Sequence, residues 1–244
     1  MKLAELLDQA CRTAIAMEQP SGAFDPYAVQ SSLIDLRLER GERLSGVKLG
    51  FTSEGKRVQM GVHDLILGRL TDAMAVPSGS SVDVARFIHP RVEPEVVYLT
   101  GRTIASVADA LAPDAVAAVA PGIEVIDSRY ENFRFSLESV IADNTSAAAY
   151  VVGPWRPYDP SDWNLGVLFQ IDGRTVHVGS TGAILGDPRR AVVEAARLAA
   201  EIGVVIPAGS VLLAGAATPA EPLLAGAFVS VEIQRLGTVT VHAG

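Results

Sequence analysis

The sequence predicts an α+β protein with a curled antiparallel or mixed sheet. Amphipathic helices come first, and the apolar period then changes from helical spacing to an alternation of two. No Gly-rich nucleotide fingerprint follows any strand, and Gly179-Ser180-Thr181-Gly182 lacks the spacing and the lysine of a phosphate loop, which argues against a doubly wound sheet. Leu3, Leu6, Leu7, Ala10, Cys11, Ala14 and Ile15 recur at helical spacing, so a first helix carries a buried stripe that includes Cys11. Asp25-Pro26 reads as an N-cap followed by proline at the first helical position, opening a second helix through Leu33, Leu36 and Leu38. Short β-branched runs follow at 96–100, 123–126 and 150–152. Asp172-Gly173 is a hairpin turn joining 167–171 to 175–178. A late helix opens at Asp187-Pro188, is lined by Val192, Ala195, Ala196 and Ala199, and closes at Gly203. Runs at 211–214, 228–233 and 238–242 complete the pattern, the last two joined across Leu236-Gly237.

The chain has 244 residues, of which 20 are basic and 28 acidic, for a net charge of −8. An acidic balance without a basic cluster argues against nucleic acid as a partner. No run approaches the ~18 apolar residues of a membrane span, and the Ala-rich stretch 115–120 ends at Pro121. Acids and bases among the first leucines suit an amphipathic helix rather than a signal peptide, and a cytoplasmic location is expected. One cysteine excludes an internal disulfide and a Cys-based zinc site.

Three acids stand out by position. Glu93 and Glu95 flank Pro94 ahead of an apolar run, so in an extended chain both carboxylates share one face. Pro94 donates no backbone hydrogen bond, which suits an edge or an irregular entry to the strand. Glu124 is bracketed by Ile123, Val125 and Ile126, where a buried carboxylate needs a partner or a cation. Two readings stay open: an exposed Glu-X-Glu with Glu124 paired to Arg91 or Arg129, or all three converging on a divalent ion such as Mg²⁺ or Mn²⁺. Lys48, in Gly46-Val47-Lys48-Leu49-Gly50, either snorkels to the surface or holds its charge at an anionic site. His63, His89, His177 and His242 lack ligand spacing. Asn144 and Ser146 belong to a polar loop that forms either a turn or a carboxylate cradle.

The strings Arg91-Val-Glu-Pro-Glu95, Gly122-Ile-Glu-Val-Ile-Asp-Ser-Arg-Tyr130 and Ile141-Ala-Asp-Asn-Thr-Ser146 resemble the 2-keto-4-pentenoate hydratase and 4-oxalocrotonate decarboxylase family of the fumarylacetoacetate hydrolase superfamily. Lys48-Leu-Gly-Phe-Thr-Ser53, Gly186-Asp-Pro188 and Ile206-Pro-Ala-Gly209 extend the likeness over most of the chain. The resemblance implies a mixed β-sheet roll, residues 46–244, preceded by a helical segment, residues 1–45, packed on it. It implies Mg²⁺ or Mn²⁺ held by Glu93, Glu95 and Glu124, an active-site Lys48, and substrate contact at Ser146. A homo-oligomer, or a complex with a homologous hydratase, is expected.

Within that family, Arg129-Tyr-Glu-Asn-Phe133 and Gly61-Val-His-Asp-Leu-Ile-Leu-Gly68 look like the decarboxylase branch. Hydratases carry an acid where Ile66 stands, and an isoleucine lining the substrate site cannot activate water. Gly215-Ala-Ala-Thr-Pro219 departs from the usual decarboxylase string. The expected reaction is therefore decarboxylation of a small 2-oxo dicarboxylate, 2-oxo-3-hexenedioate, with hydration of 2-hydroxypenta-2,4-dienoate as the alternative.

Overall fold

The computed structural model of the chain describes residues 2–53 and 64–244. Its helices are α1 (Leu3–Thr13), α2 (Pro26–Glu39), α3 (Val107–Ala110), α4 (Leu137–Ala142) and α5 (Arg190–Glu201). Its strands are β1 (Leu44–Gly50), β2 (Ile66–Thr71), β3 (Ala75–Pro77), β4 (Ser81–Val82), β5 (Arg91–Thr100), β6 (Val116–Ile126) and β7 (Ala147–Val152), then β8 (Arg156–Pro157), β9 (Gly166–Ile171), β10 (Arg174–Ser180), β11 (Val211–Ala216), β12 (Glu221–Pro222), β13 (Phe228–Ile233) and β14 (Gly237–Ala243). The larger sheet runs β2-β1-β11-β5-β6-β7-β3, with β12 also on β5 and β8 also on β6. A smaller sheet runs β10-β9-β13-β14-β4. The β1–β11 and β3–β7 pairs are parallel and β5–β6 is antiparallel, so the larger sheet is mixed, as the fold class requires.

The main core joins residues of both sheets, among them Val92, Ile123, Phe169, Val231 and Val239, and α5 adds Val192, Ala195 and Ala199. Asp25 caps α2 by accepting from Ala28 N at 3.0 Å, and Asp172 and Gly173 both take left-handed φ at the β9–β10 turn. α5 starts three residues after Asp187, because the Asp187 carboxylate closes the preceding turn by accepting from Arg189 N at 3.0 Å. α1 ends at Thr13, with Ala14 left-handed, so Ile15 lies beyond the helix and is exposed. Cys11 is half-buried rather than sealed in the stripe, and Arg37 Nη1 donates to its Sγ at 3.8 Å.

Two prolines lie where an edge or a break is expected, and both sit in the centre of the larger sheet. Pro94 is inside β5, paired with Ile123 of β6, and its carbonyl accepts from Ala217 N at 2.8 Å. Its missing N–H falls at the seam where β11 gives way to β12, so no ladder bond is lost there. Pro121 lies within β6 and its carbonyl accepts from Gly153 N at 2.9 Å, at the corresponding seam between β7 and β8.

The N-terminal helices are tied to the body by buried polar contacts. Gln30 Nε2, on α2, donates to Leu67 O and Ile141 O, each at 2.9 Å. The Tyr27 hydroxyl accepts from Leu67 N at 3.2 Å. Leu7, Leu33, Tyr130 and Ala142 form one apolar cluster across this junction.

Candidate active site

The register of β5 against β6 places Glu93 directly opposite Glu124 and Glu95 opposite Gly122, so the three glutamates share one face. Each offers a carboxylate oxygen within 4.8 Å of the others, and all three are buried. Burial, then the neighbouring Glu124, push the Glu95 carboxyl well above its ordinary value. Burial also raises Glu124, against the opposing pull of Lys48. Glu95 Oε2 accepts from Gly215 N at 2.7 Å, while Oε1 is buried with no hydrogen-bond partner. Three clustered carboxylates, one with an unpartnered oxygen, form an all-oxygen donor set that fits a hard divalent cation.

Lys48 comes from β1, a strand too rich in glycine to show alternation in the sequence. Its ammonium lies 2.9 Å from Glu124 Oε1 and its side chain is 4% exposed, so it is not a snorkelling lysine. Of the partners considered for Glu124, Arg129 instead pairs with buried Asp143, and Arg91 lies with its guanidinium carbon 5.2 Å from the centre of the Phe133 ring. The exposed Glu-X-Glu reading is thereby set aside. β11 stands between β1 and β5, and its Gly215 is left-handed at φ 107°. A Cβ there would meet Thr52 Oγ1 at 2.0 Å, so glycine is what allows the backbone N–H to approach Glu95.

A cavity of about 530 Å³ opens beside these groups. Lys48 and Glu93 form its polar end, with Thr145 and Ser146 near by, and Phe51, Ile66, Ile126 and Val140 add apolar walls. Ile66 is buried at the start of β2 and packs with Val140 and Ile141 of α4. The polar loop is both a turn and part of the cavity wall. Asn144 clamps it to β2, accepting from Arg69 N and donating to Arg69 O, both at 2.8 Å. Asn144, Thr145 and Ser146 are all left-handed, a strained run of three non-glycine residues. Thr145 and Ser146 hydroxyls are buried with no hydrogen-bond partner. At Gly68 a Cβ would meet Thr145 Oγ1 at 2.8 Å, so the loop depends on a bare backbone there.

Lys48, Glu93, Ile66 and Ser146 thus meet at one cavity, and Glu95 and Glu124 adjoin it. Sequence reasoning misses Phe133 and Arg134 as cavity residues, although both lie in or beside the Arg129-to-Phe133 string, and treats Arg91 only as an ion-pair partner. It also misses Gln30, which carries no sequence signal beyond its place on a helix. His177 and Glu221 do form a pair at 2.6 Å, but neither lines the cavity, so this pair is not placed to activate water there. His63 lies outside the described residues.

Residues 51–242 match the family described as fumarylacetoacetate (FAA) hydrolase C-terminal. A 4-oxalocrotonate decarboxylase of Pseudomonas sp is 47% identical over 98% of this chain and 96% of its own length. The TodF product hydratase of Pseudomonas putida is 34% identical over 98% of this chain and 93% of its own. Among solved structures, the 4-oxalocrotonate decarboxylase from Pseudomonas putida G7, complexed with magnesium and adipate, superposes with a TM-score of 0.92 at 35% identity, covering 99% of this chain and 96% of the other.

Proposed function

Because the chain belongs to the fumarylacetoacetate hydrolase family, we propose that it is a metal-dependent carboxy-lyase that converts 2-oxo-3-hexenedioate (4-oxalocrotonate) to 2-hydroxypenta-2,4-dienoate and carbon dioxide, in the catabolism of aromatic compounds. Ile66 is the observation that carries this reading: it is an apolar residue on the wall of the cavity that holds Lys48 and Glu93. Glu93 is the only acid among the described residues lining that cavity, and hydration would need a second one to activate water.

Glu93, Glu95 and Glu124 would hold Mg²⁺ or Mn²⁺. When bound, the ion supplies Lewis-acid stabilisation of negative charge developing on a 2-oxo oxygen. Lys48 adds a fixed positive charge at the same end and is aligned by Glu124. The unpartnered hydroxyls of Thr145 and Ser146 are free to donate to the adjoining 1-carboxylate. In the reaction the C5–C6 bond breaks and its electron pair passes through the alkene to the 2-oxo oxygen. Lys48 stabilises the dienolate, which takes up a proton to give the dienol product. Ile66 keeps water from the distal carbons while the carboxylate leaves.

Purified protein with Mg²⁺ and 2-oxo-3-hexenedioate should release carbon dioxide, and it should give no 4-hydroxy-2-oxopentanoate from 2-hydroxypenta-2,4-dienoate. Robust hydration would overturn the assignment. As a working arrangement, residues 1–45 form a helical segment on one catalytic body, 46–244. The protein acts as a homo-oligomer or beside a homologous hydratase that consumes its product, which co-purification and size-exclusion chromatography would reveal.

A further inference from the structure

The proposed reaction leaves two cavity residues without a role. Arg91 and Arg134 both line the cavity, are exposed at its surface, and have no acidic partner among the described residues. Arg91 is positioned by a ring: its guanidinium carbon lies over Phe133, 5.2 Å from the ring centre, a cation–π contact that uses none of its N–H donors. Phe133 is itself fixed, with its ring centre 5.1 Å from that of His89 and 5.8 Å from that of Phe135. Asn132 and Phe133 are both left-handed at φ 56°, so backbone strain is spent in presenting this ring. The loop is anchored from the N-terminal segment, where Ser136 N donates to Gln19 Oε1 at 2.7 Å and Glu131 N to Met17 O at 3.0 Å.

Arg91 and Glu93 lie two residues apart in β5 and project from the same face. Two residues of extended chain span six bonds and about 6.8 Å, and an extended six-carbon diacid spans five bonds, so its carboxylates stand at nearly that separation. We propose that Arg91, with Arg134, binds the second carboxylate of a six-carbon diacid whose 2-oxo acid end sits at the three glutamates, and that these two arginines make the protein selective for dicarboxylates. The identity of that carboxylate as the one lost rests on the decarboxylase reading. The contact exists in the substrate and ends when carbon dioxide forms, so it contributes to binding rather than to the chemical step. A hydratase substrate, lacking the group, would gain nothing from it.

The test compares two unreactive ligands of equal length, 2-oxohexanedioate and 2-oxohexanoate, titrated calorimetrically into the Mg²⁺-loaded protein. The unmodified protein should bind the diacid roughly 10–100-fold more tightly, the range of a charge-assisted hydrogen bond. Arg91→Met and the Arg91→Met/Arg134→Met pair should lose that preference while binding 2-oxohexanoate as before, which also reports a folded site. Arg91→Lys should keep part of it. Unchanged diacid affinity in the double variant, or equal loss for both ligands, overturns the proposal. Neither ligand reacts, so a diacid preference in a protein that releases no carbon dioxide would refute the decarboxylase reading and leave the arginine site standing.

Discussion

The carboxylate end of the cavity rests on β5 and β6 in the middle of the larger sheet, while its apolar wall at Ile66 and Val140 is assembled from β2 and α4, with Tyr27 of α2 packed behind them. At the first end, cross-strand register alone brings Glu93 and Glu124 together, and neighbouring strands lock it. At the second, Ile66 and Val140 meet where Gln30 fastens β2 and α4 to the N-terminal helix. On the proposed reading, the metal chemistry sits on the sheet and the discrimination between reactions sits on the assembled wall. Damage to the two ends should therefore read out differently.

The largest effect is expected at the carboxylates. Loss of even an outer partner of a metal ligand costs ~10–100-fold in affinity, so Glu124→Gln should weaken Mg²⁺ binding by at least ~100-fold. Chelation by EDTA should abolish carbon dioxide release, and full activity in a metal-free sample would refute the site. Next, Lys48→Met should lower kcat by roughly 10²–10⁴-fold with a smaller change in KM, measured by steady-state kinetics. On the assembled wall, Ile66→Asp should slow decarboxylation roughly 100-fold, the size of a like-charge repulsion of about 3 kcal/mol at partly screened range, while Mg²⁺ affinity holds. Gln30→Leu strands two buried carbonyls and should cost about 2–4 kcal/mol of stability by denaturant unfolding, again sparing the metal site. A matching loss of Mg²⁺ affinity in either wall variant would break the distinction between the ends.

The smallest effect is in pH. Burial and Glu124 hold the Glu95 carboxyl above its usual range, so its ionisation costs stability in the metal-free protein. The stability of the protonated form is intact below the ordinary carboxylate pKa of about 4.3 and is lost as pH rises through the elevated value. Mg²⁺ binds the ionised form, so the difference in Tm between Mg²⁺ and EDTA samples should widen from pH ~5 to ~8. A difference that narrows over that range would show that the glutamates do not hold the ion.

The helices and hairpins were legible because caps and turn pairs announce themselves locally, as at Asp25-Pro26 and Asp172-Gly173. β1 and β2 were not. β1 mixes two glycines and Lys48 into its run, and β2 is buried along almost its whole length, so neither alternates. The glutamate pair follows from a period of two, but its meeting with Glu124 depends on a register that no local signal sets. Ile66 became visible only through family likeness, and Arg91 showed only as a partner for Glu124 because the Phe133 ring beneath it is placed by a loop elsewhere in the chain.

The Gln30 contact carries a consequence for the order in which the molecule is completed. Its side chain bonds the Ile141 carbonyl 111 residues away, whereas β5 and β6 are consecutive strands of the sheet. Contacts between distant parts of the chain close more slowly than those between neighbours, because the intervening loop must surrender more entropy first. The pairing of Glu93 with Glu124 across consecutive strands is therefore expected before the Gln30 contact closes the Ile66 wall. A chain stopped between those two events would have Glu93 beside Glu124 while the Ile66 wall still stood open to water.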